Sequence, residues 1–232
     1  MFELSPLELE TLRLSLRVGL WSVVTSLPLG LALAFLLARR SFPGKILVDG
    51  LVHLPLVLPP VVVGFALLVL FGRRGPIGAW LYDTLGVTFA FNWKGAALAS
   101  ATMGFPLMVR AMRLSLELVD CRLEQAARTL GAGRGRVFLS ITLPLMAPGI
   151  LSGVILAFAR SISEFGATIT FVSNIPGETS TLPLALYALT QVPGGDAEAW
   201  RLALLSVALA MAALILSELL ARRLNRRIQG LA

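Results

Sequence analysis

The sequence predicts an all-α integral membrane protein, and three observations support that prediction. Only 14% of the 232 residues are charged, whereas a soluble globular protein carries about 25%. Mean hydropathy is +0.83, and the apolar residues form runs that approach the roughly 20 residues needed to cross a bilayer. A polar insert at residues 120–144, with a helix–glycine–helix pattern, interrupts these runs. We therefore treat residues 1–232 as one transmembrane domain.

Five apolar runs predict five transmembrane helices. The first has no charged residue between positions 18 and 38, and the second has only His53 as a titratable group. The third is shorter, but Lys94 can extend its side chain to the interface. The fourth continues past Arg160 at membrane depth. We predict spans at about residues 14–38, 47–71, 93–116, 145–172 and 201–221.

A shorter apolar segment lies at residues 182–190, between Pro176 and the turn residues Pro193 and Gly194. It is too short to span a bilayer. Non-helical backbone at membrane depth is tolerated only where protein or water covers it. We therefore predict a half-helix that enters from the outer face, with a surface amphipathic turn as the alternative.

The basic residues predict the orientation of the chain. They cluster in the first loop, in the polar insert and in the C-terminal tail, and cytoplasmic loops are the ones enriched in Lys and Arg. Five spans with the N-terminus outside and the C-terminus in the cytoplasm place most of these residues inside. Arg13, Arg17, Arg73 and Arg74 oppose this arrangement, but they are outnumbered.

Several kinds of chemistry are excluded by composition. The isoelectric point near 10.9 does not indicate nucleic-acid binding, because the basic residues flank apolar runs and form no single patch. One cysteine, Cys121, and one histidine, His53, provide neither a disulfide nor a zinc site. No glycine-rich phosphate-binding loop ends in Gly-Lys-Ser/Thr, so we expect the chain to bind no nucleotide or other cofactor itself.

The polar insert begins with an amphipathic helix. Leu123, Ala126, Ala127 and Leu130 follow the i, i+3, i+4, i+7 spacing of one apolar stripe. Asp120 is placed as its N-cap, and glycine at 131 suits its C-terminus. Such a helix is suited to docking in a groove on another protein. A helix lying on the lipid surface, or a turn of ordinary core, are the alternatives.

The insert resembles the EAA signature of ABC importer permeases. The resemblance lies in Gln125-Ala126-Ala127, in Gly131, and in Ile141 followed by Leu143-Pro144. In that family this segment is the cytoplasmic coupling helix, which docks on the ATP-hydrolysing subunit. The family's usual glutamate is Gln125 here, and Glu124 precedes it, about 100° away around the helix. The resemblance implies that the coupling residues are Glu124, Gln125, Ala126, Ala127, Arg128, Gly131, Ile141, Leu143 and Pro144.

Most of the chain also resembles the molybdate ABC-transporter permeases. The strings that match best lie at residues 40–45, 53–64, 72–75 and 164–179. The resemblance implies a homodimer in the bacterial inner membrane, two ATPase subunits that bind ATP and Mg²⁺, and a periplasmic molybdate-binding protein. Permeases for sulfate, thiosulfate or tungstate are the nearest alternatives, because these oxyanions share shape and charge. A secondary transporter that uses no ATP is a remote one.

Candidate pathway residues lie in the fourth span. Arg160 and Glu164 are four residues apart and should share a helix face. Each charge costs about 2.5–3.5 kcal/mol at the bilayer centre on insertion scales, so the pair should face protein or water. It either borders the translocation pathway or is a structural ion pair. Nearby hydroxyls could hold an oxyanion weakly or bond back to their own helix; they belong to Ser163, Thr168, Thr170 and Ser173.

Three prolines interrupt the second span, at Pro55, Pro59 and Pro60. Proline removes a helical hydrogen bond and produces a kink. The kinked span, followed by three valines, is a candidate for an apolar outer gate, with lipid-facing core as the alternative.

Overall fold

The computed structural model describes the backbone of residues 5–229 and, within that range, the side chains of all residues except 217, 218 and 221–229. The basic side chains of the predicted cytoplasmic tail, at positions 222–227, therefore lie outside the described residues. The described chain is all-helical, with α1 Pro6–Arg39, α2 Lys45–Val57, α3 Pro60–Phe71, α4 Pro76–Leu85, α5 Trp93–Glu117, α6 Cys121–Thr129, α7 Arg134–Val137, a π-helical turn Phe138–Thr142, α8 Leu143–Ile162, α9 Gly166–Val172, α10 Leu182–Thr190 and α11 Asp196–Gln229.

The first helix begins well before its predicted apolar span. Ser5 and Glu8 form a capping box, in which Ser5 N–H donates to Glu8 at 2.7 Å and Glu8 N–H donates to Ser5 at 3.2 Å. Glu8 is buried and also pairs with Arg201 of α11 at 3.1 Å. The capping box thus fixes the start of α1, and the ion pair joins its polar first turns to α11.

The predicted second span is two helices rather than one kinked helix. α2 and α3 meet at an angle of 115°, and the break falls at Leu58 and Pro59. Leu58 has an extended backbone, with ψ 144°, as expected for a residue before proline. Pro59 and Pro60 have no N–H group to continue the helix. Pro55 lies inside α2, so the sharp bend comes from the proline pair.

The helix α5 packs along both α1 and α8 and connects two apolar clusters. One cluster joins α5 to α1, α3 and α9, and includes Val18, Met103 and Phe171. The other joins α5 to α1, α2 and α8, and includes Leu37 and Met112. The core of the described chain is therefore built around α5.

Small residues allow α5 and α8 to approach closely. Gly149, Gly153 and Ala157 recur every fourth residue along one face of α8 and are all buried. A Cβ atom on Gly153 would lie 2.9 Å from the carbonyl oxygen of Met108, and one on Gly149 would lie 2.1 Å from the Cβ of Ser115. Membrane helices use such small-xxx-small patterns to bring their backbones together.

The predicted fourth span is interrupted. α8 ends at Ile162, and α9 begins at Gly166 after three non-helical residues. The segment predicted as one span, residues 145–172, therefore consists of two helices, and its bounds in the membrane stay a prediction. The half-helix prediction corresponds to α10, whose bounds are the predicted 182–190. Its first N–H, from Leu182, donates to Ser15 of α1 at 2.7 Å in a buried position.

By length and composition, three helical stretches within the described residues could cross a membrane on their own: Pro6–Arg39, Arg134–Ile162 and Asp196–Leu216. The bent pair of α2 and α3 makes a fourth if it counts as one span. α5 is long enough, at 25 residues, but small and polar residues lower its hydropathy. The number of five spans therefore stays a prediction.

Candidate functional site

Hydrogen bonds close both ends of α6, the helix of the predicted coupling segment. Asp120 is its N-cap and accepts from the N–H of Arg122 at 2.9 Å. At the other end, Gly131 has φ +84°. The N–H groups of Gly131 and the next residue bond back to the carbonyls of Arg128 and Ala127, each at 3.0 Å. This is a Schellman motif, in which glycine supplies the left-handed conformation.

Glu124 attaches α6 to the body of the protein. Its carboxylate pairs with Arg39, the last residue of α1, at 3.2 Å. The same carboxylate accepts from the hydroxyl of Thr142 at 2.8 Å. Arg39 also donates to the carbonyl of Val119 at 3.2 Å and to the sulfur of Cys121. Because Arg39 ends α1 and Thr142 ends the π-helical turn that leads into α8, this carboxylate links α6 to the ends of two long helices.

The apolar stripe of α6 faces away from the rest of the chain. Leu123 is 50% exposed and Leu130 is 88% exposed. Ala126 is also exposed, and Ala127 is half-buried. Burying such side chains stabilises a complex by about 25 cal/mol per Å² of apolar surface removed from water. The stripe is therefore a surface that another molecule can cover.

Beside α6 lies a polar cavity of about 480 Å³. Gln125 and Arg128 of α6 line it, together with Glu124. Arg40 from the end of α1 and Arg134 from the start of α7 also contribute. Gln125 and Arg128 remain exposed, so neither is needed to hold α6 in place.

The end of the predicted coupling segment forms the π-helical turn and the start of α8. Pro144 has no N–H group, so the ordinary helical bond at that position is missing. The N–H of Leu143 instead bonds to the carbonyl of Phe138, five residues earlier. Ile141 is half-buried. The turn positions the buried hydroxyl of Thr142 towards Glu124.

Arg160 and Glu164 form the predicted ion pair, with 2.6 Å between Nη1 and Oε2. Glu164, however, lies in the break between α8 and α9, so the two residues do not share a continuous helix. Its other oxygen accepts from the N–H of Ala167 at 2.7 Å, in the first turn of α9. The Glu164 side chain is 1% exposed and that of Arg160 is 25% exposed. The carboxylate thus caps α9 while the guanidinium keeps contact with the surface.

The predicted hydroxyl groups bond mainly to backbone. Thr168 and Thr170 each donate to a carbonyl one turn earlier, at 2.8 Å. Ser163 donates to the carbonyl of Arg160 at 3.1 Å. Ser173 ends α9 with φ +61°, a conformation uncommon for residues other than glycine. This geometry matches the alternative of hydroxyls that bond back to their own helix.

Two contributors to the site carry no local sequence signal. In the sequence, Arg39 is one of several basic residues that follow the first apolar run, and Thr142 lies within a run of mostly apolar residues. Their contacts join residues 85 and 18 positions apart. The sequence contains one indication of a special role for Glu124: this residue provides, one position early, the glutamate that the motif usually has at position 125.

The family described as binding-protein-dependent transport system inner membrane component matches residues 26–230 of the chain. The Molybdenum transport system permease protein ModB of Escherichia coli strain K12 is 64% identical over 215 residues, covering 93% of this chain and 94% of that protein. The protein of the same name from Haemophilus influenzae strain Rd is 55% identical over 222 residues, covering 96% and 97% respectively.

A solved structure shows the same fold. It is the crystal structure of a bacterial ABC transporter involved in the import of the acidic polysaccharide alginate, with a TM-score of 0.75 and 17% identity. The alignment covers 95% of this chain and 80% of that one. The sequence matches confirm the resemblance inferred from the motifs. The chain therefore belongs to the family of binding-protein-dependent transport system inner membrane components, as a permease component and not as an enzyme.

Proposed function

We propose that this chain is the membrane-spanning permease of an ATP-driven importer for molybdate, and that it moves the oxyanion by alternating access. Its high identity to two molybdenum transport permeases supports the substrate. The observation on which the mechanism depends is the exposed apolar face of α6, a helix that Glu124, about 100° around the helix from Leu123, anchors to the body of the protein.

In this mechanism, α6 is the coupling helix. The exposed face of Leu123, Ala126 and Leu130 docks in a groove on the ATPase subunit, as an amphipathic helix does in other complexes. When ATP binding closes the two ATPase subunits, each docked helix moves with its own subunit. Glu124 transmits that motion to α1 through Arg39 and to α8 through Thr142. ATP shifts the equilibrium between states only through contacts that differ between them, and these contacts meet at α6.

The proposed assembly contains two copies of this permease, two ATPase subunits and a periplasmic molybdate-binding protein. ATP and Mg²⁺ bind to the ATPase subunits, and this chain binds no cofactor. Each permease forms one domain with five spans in the inner membrane, with its N-terminus outside and its C-terminus in the cytoplasm. The basic residues at the end of α1 and around α6 support that orientation.

For the pathway, we propose that the Arg160–Glu164 pair borders the route of the anion. The guanidinium attracts a dianion in one state, and Glu164 neutralises it in the other. The hydroxyls of Ser163, Thr168 and Thr170 already donate to backbone carbonyls, and Ser173 ends α9, so we assign these residues to shaping the segment that follows the break. The sharp bend between α2 and α3, formed by Pro59 and Pro60 after the helical Pro55, is proposed as an outer gate.

The docking step is tested with the complete transporter. Leu123→Asp and Leu130→Asp should weaken binding of the ATPase subunit to the permease, because each places a charge on the apolar face. Leu85→Asp is the matched control, since Leu85 is 64% exposed but lies at the end of α4. Co-purification of the ATPase subunit measures the effect. Wild-type recovery by both α6 variants would show that α6 is not the docking helix.

The substrate is tested by uptake into proteoliposomes that contain the whole importer with its binding protein. Labelled molybdate should enter in an ATP-dependent manner, and excess unlabelled molybdate should compete. Excess sulfate should compete much less. Uptake of sulfate that molybdate leaves unaffected would overturn the substrate assignment, while uptake without the ATPase subunit would favour the secondary-transporter alternative.

A further inference from the structure

An apolar groove runs along α1 beside α7 and the π-helical turn. It has a volume of about 770 Å³. Most of its lining is apolar: Pro28, Leu31, Ala32, Phe35 and Leu36 from α1, and Phe138 from the π-helical turn. Phe35 and Phe138 meet edge to face, with ring centroids 5.7 Å apart. This apolar lining suits an acyl chain.

Two arginines line the same groove, Arg40 just after α1 and Arg134 at the start of α7. Both are exposed, and neither pairs with a carboxylate among the residues that the structure describes. Basic pockets at the ends of membrane helices bind the phosphates of anionic lipids. The groove therefore combines an apolar channel with a cationic end.

We propose that this groove is a specific site for one anionic phospholipid. An acyl chain lies against Phe35 and Phe138, and the lipid phosphate lies between Arg40 and Arg134. A second copy of the chain is a poorer occupant. A two-fold interface places the same patch on both copies, which would oppose like charges and bury them unpaired, at a high cost.

The lipid headgroup would also lie next to the coupling segment. Phe35, Arg40, Arg134 and Phe138 line both the apolar groove and the polar cavity beside α6. Glu124 and Arg128 of α6 also line that cavity. A bound phosphate is therefore positioned to hold Arg40 and Arg134 in place behind α6. The site rests on the membrane location of the chain and not on its substrate.

The site is tested by native mass spectrometry of the purified transporter with phosphatidylglycerol or phosphatidylcholine. The wild type should retain one phosphatidylglycerol per permease and little phosphatidylcholine. Arg40→Gln and Arg134→Gln should each weaken retention about fivefold, and the double variant about 30-fold. Arg136→Gln is the matched control, because Arg136 is exposed on α7 but lines neither cavity. A second variant, Ala32→Trp, should block the acyl channel and release the lipid while leaving both arginines.

Three results would overturn the proposal. Equal retention of the two lipids would show that the site does not recognise a headgroup of net negative charge. Unchanged retention in both the double variant and Ala32→Trp would place the bound lipid elsewhere. Dissociation of the permease dimer in the double variant would show that a second copy covers the groove.

Discussion

Replacing Gly131 by valine should uncouple ATP hydrolysis from transport. Gly131 has φ +84°, and a residue with a Cβ pays about 1–2 kcal/mol for that left-handed conformation. A Cβ at this position meets nothing within 4 Å, so the cost is conformational and stays local. This cost lowers the population of molecules with a closed Schellman motif at the end of α6 roughly 5- to 30-fold. The membrane fold stays intact.

The assay compares ATP hydrolysis with molybdate uptake in proteoliposomes for a graded series. Gly131→Asn should approach the wild type, because asparagine tolerates the left-handed region. Gly131→Ala should be intermediate, and Gly131→Val should transport least per ATP. Gly133→Val is the matched control, since Gly133 has φ −65° and also has open space around its Cβ position.

Two outcomes would refute this reasoning. Normal transport per ATP by Gly131→Val would mean that the geometry of the end of α6 does not matter for coupling. Equal losses for Gly131→Val and Gly133→Val would mean that added bulk, and not backbone conformation, causes the defect. We expect both variants to insert normally into the membrane. Protein yield and thermal unfolding check this.

Substitutions at three other contacts test the rest of the structure. Glu124→Ala should lower the free energy of unfolding by about 1–3 kcal/mol, because it leaves a largely buried partner unpaired. Thermal unfolding and molybdate uptake should both show this loss. Glu124→Gln should lose less stability and less uptake. Gly153→Ala should lower the unfolding temperature despite alanine's better helix propensity, while Gly50→Ala, with open space around its Cβ, should not; equal effects would exclude close packing as the cause. Arg160→Ala and Glu164→Ala should each impair uptake, and the double variant should be less impaired than either; additive losses would exclude direct pairing.

The features predicted best from sequence are those with a local physical cause. Asp120 and Gly131 mark the ends of α6 because capping residues and left-handed glycine act within one turn. The α10 helix lies between Thr181 and Gln191, where flanking prolines and glycines indicated it. The membrane class followed from composition, which needs no knowledge of contacts.

The break between α8 and α9 could not be read from sequence because its causes are long-range. An added Cβ on Gly166 would lie 2.8 Å from a side-chain atom of Pro60 on α3. Similarly, one on Gly64 would lie 2.5 Å from the carbonyl oxygen of Ala167. The close approach of α3 and α9 depends on which helices become neighbours. Hydropathy instead indicated one continuous run.

One feature of the core does have a signal in the sequence. The Gly149, Gly153 and Ala157 repeat is visible in the printed sequence, and it predicts a close helix contact without naming the partner helix. In the functional segment, the shift from Gln125 to Glu124 was visible as well. Only the structure reveals what Glu124 does, because Arg39 lies 85 residues away along the chain.

In the proposed transporter, α6 projects from the cytoplasmic face and is covered there by an ATPase subunit. Cys121, at the start of α6, is exposed and is the sole cysteine of the chain. A membrane-impermeant maleimide should label it in inverted membrane vesicles and not in intact cells, and added ATPase subunit should slow the labelling. Labelling of Cys121 from outside intact cells would contradict the account, because the helix would then face away from the subunit that drives it.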